Sequence, residues 1–308
     1  MIGHHATFNH PREHGSGVSQ PTAGRGGGPT VIVSDVHIGA VPDATERAFL
    51  EFVGYAAHEA GALVIAGDLF DVGPVDAGPV APPHAAVLAR VADAVRAGLP
   101  VSFIGGNRDP VEWSGAALGR AGVRVFPDPS ELLLAGRRAL VAHGDGARRG
   151  AAGPYRNPYA LLRHPALVWG VRHVMRGRWR ERAFRALAAR SPTRGRAARY
   201  ARGESTGPKR RAPAIEAWAR TMLDADSGLA LVIAGHSHLP ALVEVAPGRF
   251  YVNAGDWVSH FTYVVVPADG GPPEVRVWPS REPVDWATLP DADVPAAAVA
   301  RARLRLAH

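Results

Sequence analysis

The chain of 308 residues is long enough to bury a large hydrophobic core, as one big domain or as two small ones. It has no cysteine, which excludes disulfides and thiolate metal sites, so a metal would need His, Asp, Glu, Asn or backbone ligands. The formal net charge of +7 predicts an anionic partner: nucleic acid, a phospholipid surface or a phosphorylated substrate. The alternative is that it reflects no more than an Arg-rich composition.

The first 28 residues are rich in His, Gly and Pro and contain no apolar segment. This composition predicts a disordered leader over residues 1–28 and is not typical of a signal peptide. The chain also has no run of roughly 18 apolar residues, the length that spans a bilayer. We therefore expect a cytoplasmic protein.

Short apolar runs alternate with helical periods from Thr30 onward. The first half of the chain predicts strands and intervening helices, the strands at Thr30–Ser34, Ala62–Ala66 and Val101–Ile104 and the helices at Ala44–Glu59 and Pro83–Ala97. Further strands are expected at Glu131–Leu134, Ala139–Ala142, Ala230–Ala234, Phe250–Asn253 and Tyr263–Val266. This alternation predicts an α/β fold whose strands are buried on both faces.

Polar side chains follow five of the predicted strands, in the segments Ser34–His37, Gly67–Asp71, Gly106–Asp109, His143–Asp145 and Gly235–His238. In α/β sheets, ligands bind where loops leave the carboxyl ends of strands, and a neighbouring Gly lets the backbone approach an ion. A lone Asp-x-His is more often a surface loop, but five such segments in order favour one common site. Its mixed oxygen and imidazole donors suit a two-metal hydrolytic centre. The candidate ligands are Asp35, His37, Asp68, Asn107, His143, His236 and His238.

The order of these motifs resembles the calcineurin-like metallophosphoesterases, over about Val31–Val266. The resemblance implies a four-layer sandwich of two mixed β-sheets flanked by helices. It also implies two divalent ions bridged by Asp68, with Mn expected and Fe, Zn or Mg as alternatives. The ligands of the first ion would be Asp35, His37, Asp68 and His238, and those of the second Asp68, Asn107, His143 and His236. Such a pair supplies hydroxide near neutral pH and neutralises phosphoryl oxygens.

Arg108 narrows the substrate class. Many family members carry His directly after the metal-binding Asn, where it assists an alkoxide leaving group. An Arg has a pKa above about 12 and is a poor proton donor, but it stabilises a phosphate oxyanion through a bidentate fork. Arg108 therefore fits cleavage of a phosphoanhydride, and we predict Asn107 and Arg108 as catalytic residues. The alternative is that Arg108 pairs with Asp109.

Three stretches narrow the resemblance to the UDP-2,3-diacylglucosamine diphosphatases, which release UMP and a diacylated glucosamine 1-phosphate. They are Gly-Asn-Arg-Asp, Gly-Asp-Leu-Phe-Asp and Gly-His-Ser-His-Leu-Pro, and Asn253–Trp257 is similar to that family as well. The chain departs from the family after His143-Gly144-Asp145, where Gly146–Gly150 replaces a Thr and a paired acidic stretch. Arg108, Asp109, Arg172 and Lys209 are the expected substrate contacts.

An Arg-rich insertion separates the fourth motif from the fifth, at residues 146–228. Within it, apolar residues recur at helical spacing beside basic ones: Val168, Val171, Met175 and Trp179 beside Arg172, Arg176 and Arg180. A basic amphipathic helix suits a lid over acyl chains and peripheral contact with an anionic membrane, here the inner face of the cytoplasmic membrane. The alternative is a helix that packs on its own core and exposes a basic face to solvent.

The predicted organisation is a leader (1–28), a metallophosphoesterase domain (29–282) carrying the lid insertion (146–228), and a peripheral tail (283–308) with an amphipathic helix near Ala296–Leu306. The expected function is hydrolysis of the pyrophosphate in a UDP-linked glycolipid. A phosphodiesterase or phosphatase with another substrate and a non-catalytic scaffold are the alternatives. No nucleic-acid partner is expected, because the insertion contains no recognisable binding module. The oligomeric state stays open.

Overall fold

The computed structural model describes residues 27–73, 82–149, 189–202 and 213–281, and single positions or short stretches at 164, 166, 168–170, 182, 186 and 283. Within these ranges eleven strands form two sheets. The first contains β1 (Thr30–Val33), β2 (Ala62–Ala66), β3 (Val101–Ile104), β4 (Arg124–Phe126), β10 (Thr262–Val266) and β11 (Glu274–Val277). The second contains β5 (Ser130–Leu134), β6 (Arg137–Val141), β7 (Leu231–Ala234), β8 (Ala241–Ala246) and β9 (Arg249–Asn253).

The described helices are α1 (Asp43–Glu59), α2 (Pro82–Arg96), α3 (Val111–Arg120), α4 (Pro192–Ala201) and α5 (Pro213–Ala225), with a 3₁₀ turn at Asp145–Arg149. The first sheet has the order β11-β10-β1-β2-β3-β4, in which β1 to β4 are parallel and β10 is antiparallel to both neighbours. The second has the order β5-β6-β7-β9-β8, in which β6, β7 and β9 are parallel. Both sheets are therefore mixed.

Alternating side chains along the central strands build the layers. In β1, Val31 and Val33 pack with α1 and α2, while Ile32 faces the second sheet. In β7, Ile233 packs in the core between the two sheets, whereas Val232 packs against α5. Burial on both faces explains why these strands are continuous apolar runs. The predicted architecture of two mixed sheets flanked by helices is confirmed.

The predicted helices and strands agree with the structure to within one or two residues at most ends. Four elements outside the insertion were not predicted, β4, α3, β8 and β11, and within the insertion α4 and α5 were not predicted individually. β4 has three residues and α3 contains two glycines, so both give weak signals. β8 is an edge strand whose residues are all at least partly exposed, but its sequence is a largely apolar run, so the local signal was present and was missed.

About half of the predicted lid insertion lies outside the described residues, as do residues 1–26 and the helix predicted at Ala296–Leu306. The described part of the insertion includes α4, α5 and a helical stretch in which Val168 is buried and Trp169 is 60% exposed. The domain boundaries stay a prediction. No helix among the described residues is both long enough and apolar enough to cross a membrane.

Candidate metal centre

The parallel strands of both sheets end at one edge of the sandwich, and the five polar segments leave from those ends. Asp35 and His37 follow β1, Asp68 follows β2, and Asn107 follows β3. On the second sheet, His143 follows β6, and both His236 and His238 follow β7. Backbone hydrogen bonds join the loops, from Asp35 N to Gly67 O at 3.1 Å and from Gly235 N to His143 O at 2.9 Å.

Five of the seven candidate ligands have left-handed backbone conformations. Their φ angles lie between 54° and 64°, in Asp35, His37, Asp68, His236 and His238. A non-glycine residue in this region costs of order 1 kcal/mol or more and persists where the surrounding structure fixes it, most often at functional sites. The loops thus turn sharply enough to aim alternate side chains at a common point.

The first group of donors surrounds the Asp35 carboxylate. Its Oδ2 accepts hydrogen bonds from Ser34 Oγ at 2.7 Å and from His236 N at 2.8 Å. Its Oδ1 lies 3.4 Å from His238 Nε2 and 3.7 Å from His37 Nε2. One oxygen is therefore held by the protein, and the other faces two imidazoles whose ligand atoms lie close enough to share one ion.

The Asp68 carboxylate lies between the two donor groups. Its Oδ2 is 3.7 Å from His37 Nε2 in the first group and 3.5 Å from His143 Nε2 in the second. Asn107 Oδ1 is 3.0 Å from both His143 Nε2 and His236 Nδ1, so these three donors converge as well. This placement is what a carboxylate bridging two ions requires.

Three of the histidines are held in the tautomer that a metal ligand needs. The Nδ1–H groups of His37 and His238 donate to Asp71 at 3.1 Å and to Asp256 at 2.8 Å. The Nδ1–H of His143 donates to the carbonyl oxygen of Ala66 at 3.1 Å. Each ring therefore presents the lone pair of Nε2 to the centre, as in most metal sites in which an oxygen supports the ligating imidazole.

The charges of the centre indicate a site for cations. Burial lowers the pKa of His37, but the nearby carboxylates of Asp35 and Asp71 outweigh it and raise that pKa to about 10. Burial also lowers the pKa of His143, but the Asp68 carboxylate raises it well above its ordinary value. The carboxylates thus favour positive charge on both rings. Cations bound here would take over that role and release the protons.

The buried polar atoms support the same conclusion. Asp35 Oδ1 and His37 Nε2 are buried and have no hydrogen-bond partner among the described residues, although the opposite face of each side chain is fully bonded. An unpaired buried donor or acceptor costs of order 1–3 kcal/mol, so these atoms need a ligand. The residues present therefore fit two divalent cations, and oxygen with imidazole donors suits Mn, Fe or Zn.

Comparison with known proteins places the chain in a family. A profile described as "Calcineurin-like phosphoesterase" matches residues 28–240. The chain belongs to the calcineurin-like phosphoesterase family. This confirms the predicted family and the prediction that the protein is a hydrolase.

Similar proteins share a narrower name. The chain is 32% identical to the UDP-2,3-diacylglucosamine hydrolase of Ralstonia nicotianae over 241 residues, which cover 75% of this chain and 84% of that protein. It is 33% identical to the protein of the same name from Xanthomonas campestris pv. campestris, over 78% of this chain and 96% of that one. A dimetal phosphatase structure from Danio rerio is 12% identical over 78% of this chain and 93% of that one, with a TM-score of 0.36, a likeness too loose to bear on function.

Glycines in the phosphoesterase allow the ligand loops to pack against one another. A Cβ on Gly67, which has a φ of 84°, would lie 2.6 Å from His143 Nδ1. One on Gly106 would overlap the Asp68 carboxylate, and one on Gly235 would overlap Ser34 Oγ. The Gly residues beside the ligands thus serve close approach between neighbouring loops, whereas from the sequence we expected them to let the backbone approach an ion.

Asp109 lies beneath the ligand loops, and its predicted contact with substrate stays a prediction. Asp109 is fully buried, and its Oδ1 accepts hydrogen bonds from Asp68 N at 2.9 Å and Gly106 N at 3.2 Å. Its Oδ2 accepts one from Phe70 N at 2.9 Å. Both oxygens are therefore used to hold the loop that carries Asp68. Burial and the nearby Asp68 raise the pKa of Asp109 to about 8.

Arg108 lies partly buried beside the centre, and its backbone N–H donates to Asp68 Oδ1 at 2.8 Å. The two oxygens of Asp109 are occupied by backbone amides, which does not favour the alternative that Asp109 is the partner of Arg108. Two other predicted substrate contacts, Arg172 and Lys209, lie outside the described residues. The roles of the seven ligands and of Arg108 stay predictions.

Two carboxylates were missed as site residues. Asp71 supports His37, and Asp256 supports His238; both are buried. Asp256 also accepts hydrogen bonds from His260 Nδ1 at 2.8 Å and Ser259 N at 3.0 Å. Both carboxylates lie in stretches singled out in the sequence. Their role as partners of the histidines, however, becomes visible only in the folded chain.

Proposed function

We propose that the protein is a two-metal hydrolase that cleaves the pyrophosphate of UDP-2,3-diacylglucosamine to UMP and 2,3-diacylglucosamine 1-phosphate. The observation that carries this proposal is the set of relatives named for that substrate, which are about one-third identical over three quarters of the chain. The converging donors described above supply the chemistry that such a hydrolysis needs.

The proposed first ion is held by Asp35, His37, Asp68 and His238, and the second by Asp68, Asn107, His143 and His236. Mn is the proposed metal, because hard carboxylate and amide oxygens are combined with imidazoles. When bound, the cations lower the pKa of water toward neutrality and neutralise phosphoryl oxygens. The backbone amides of Arg108 and His236 fix the outer oxygens of Asp68 and Asp35, so the inner oxygens are positioned beforehand.

Arg108 has the role that the reaction needs at the leaving group. Hydrolysis of a P–O–P bond releases a phosphate, which is a weak base and needs no proton donor. The guanidinium instead stabilises the negative charge that develops on the phosphate oxygens, through paired N–H donors. Asn107, besides holding a metal, places its neighbour Arg108 at the edge of the centre.

We propose that the insertion makes peripheral contact with an anionic membrane surface on the cytoplasmic side, where the enzyme would meet a lipid substrate. The exposed residues of the insertion support this proposal. Arg190, Arg194 and Arg199 are exposed, and Trp169 has 60% of its surface accessible. Exposed Arg side chains together with an exposed aromatic residue are typical of segments that lie at a lipid interface. Arg172 and Lys209 are proposed as additional phosphate contacts from the same segment.

The experiment measures UMP release from UDP-2,3-diacylglucosamine in detergent by Mn-loaded protein, with bis-p-nitrophenyl phosphate assayed in parallel. We expect metal-dependent UMP formation that Asp68→Asn abolishes and that the surface variant Asp224→Asn leaves unchanged, since Asp224 is exposed. Turnover of the diester without UMP formation would refute the proposed substrate. Absence of turnover on both, with metal bound, would refute the proposed hydrolysis.

A further inference from the structure

Ser191 connects the insertion to the metal centre. It precedes α4, whose first residue is Pro192, and its side chain is buried. Its Oγ accepts a hydrogen bond from Thr193 N at 3.2 Å, so Ser191 is the N-cap of the helix, with Pro at the first helical position. The same hydroxyl donates to Asp71 Oδ1 at 2.9 Å, across 120 residues of sequence.

Asp71 carries this connection to a ligand. The oxygen that accepts from Ser191 also accepts the Nδ1–H of His37, at 3.1 Å. Asp71 is 1% exposed, so water does not replace either partner.

Further contacts hold α4 against the ligand loops. Ala197 packs in a small buried cluster with Val41, which follows the β1 loop, and Val258, which follows Asp256. The Arg194 guanidinium donates to the carbonyl oxygen of Gly39 at 3.4 Å. The first turns of α4 therefore rest on the loops that carry His37 and Asp256, and the Ser191 hydroxyl adds a buried polar link to Asp71.

We propose that Ser191 is a positioning residue that couples the seating of α4 to metal affinity, by holding Asp71 in the orientation that directs His37 Nε2 at the ion. The inference rests on the proposed metal role of His37. The coupling is reciprocal: if the Ser191 hydroxyl strengthens metal binding, then metal binding strengthens the seating of α4. The insertion is thereby more firmly docked when the centre is loaded.

The variant that isolates the link is Ser191→Gly, because Gly caps a helix almost as well as Ser but has no hydroxyl. Mn affinity measured by titration calorimetry should fall about tenfold, the lower end of the effect of removing an outer partner of a ligand. Ser191→Thr keeps a hydroxyl and should bind nearly as the wild type does. Ala198→Ser changes an exposed position of α4 and should leave Mn affinity unchanged.

A double-mutant cycle shows whether the effect passes through Asp71. In an Asp71→Ala background, Ser191→Gly should have no further effect on Mn affinity. Hydrogen exchange in the wild type tests the reciprocal effect without any variant: adding Mn should slow exchange at the start of α4, including the amide of Thr193.

Two results would overturn the inference. A folded Ser191→Gly variant with wild-type Mn affinity would do so, as would exchange at the start of α4 that is insensitive to Mn. A different result would refute the proposed metal centre as well. If the His37→Ala variant binds Mn as tightly as the wild-type protein does, both proposals fail together. The His37→Ala titration therefore distinguishes the two cases.

Discussion

At the scale of single residues, the orientation of three ligand histidines depends on an oxygen atom that accepts a hydrogen bond from the ring nitrogen facing away from the centre. Asp71, Asp256 and the carbonyl oxygen of Ala66 each accept the Nδ1–H of one histidine. Asp35 and Asp68 are held in turn by backbone amides and Ser34. Because these five ligands each have one face bonded to the protein, their other faces are aimed before any ion arrives, which lowers the entropic cost of binding.

Asp256→Asn tests this support. An amide cannot accept from both His238 and His260 while also accepting from the backbone amides that Asp256 now serves, so the His238 ring should lose its fixed tautomer. We expect Mn affinity to fall at least tenfold by calorimetry. The control is Asp226→Asn, which removes a partly exposed partner of Arg138. Unchanged Mn affinity in Asp256→Asn would contradict the account of His238.

Arg108→His tests the assignment of the leaving group. Loss of one donor to the transition state typically costs about 100-fold in kcat, so UMP release should fall by about that factor. Hydrolysis of bis-p-nitrophenyl phosphate, whose leaving group is not a phosphate, should fall far less. The matched control is Arg120→His at the exposed end of α3. Equal losses on both substrates would show that Arg108 does not discriminate between anhydride and ester.

At the scale of elements, the strands that carry the ligands could be predicted because the sequence pattern that identifies them lies within each strand. β1, β2, β3 and β7 are short apolar runs buried on both faces, and each is followed directly by its ligand motif. Elements with weaker local signals, such as the three-residue edge strand β4, were missed. Propensity and periodicity identify a buried strand well, but they do not identify one that depends on its neighbours.

Roles that depend on tertiary contacts could not be predicted. The donor set followed from residue types and order in the sequence. That Asp71 serves both His37 and Ser191 depends on contacts across 34 and 120 residues, which no local pattern encodes. For the same reason Asp109, adjacent to Arg108 in sequence, was expected to meet substrate although its carboxylate points to the backbone around Asp68.

At the scale of the whole molecule, the metal centre joins the two sheets at one edge. Its ligands come from strands of both sheets, so ions bound there would link the halves of the sandwich in addition to the inter-sheet core. A ligand that binds the folded chain and not the unfolded one stabilises it by mass action. Folding stability and metal occupancy should therefore change together.

Chelation tests that link. At a free Mn concentration 100 times the dissociation constant, the gain in unfolding free energy is about 2.7 kcal/mol for one site. Removing Mn with EDTA should therefore lower the midpoint of thermal unfolding measured by calorimetry. Asp68→Ala, which lacks the bridging carboxylate, should show little response. A wild-type midpoint that is the same with Mn and with EDTA would contradict the link.

The measurement that tests the central claim most directly is anomalous diffraction from crystals of the protein grown with Mn. The account predicts two anomalous peaks on either side of the Asp68 carboxylate. One should be at bonding distance from Asp35, His37 and His238, and the other from Asn107, His143 and His236. Peaks elsewhere on the chain, or a single peak that does not contact Asp68, would contradict a two-metal centre built from these seven side chains.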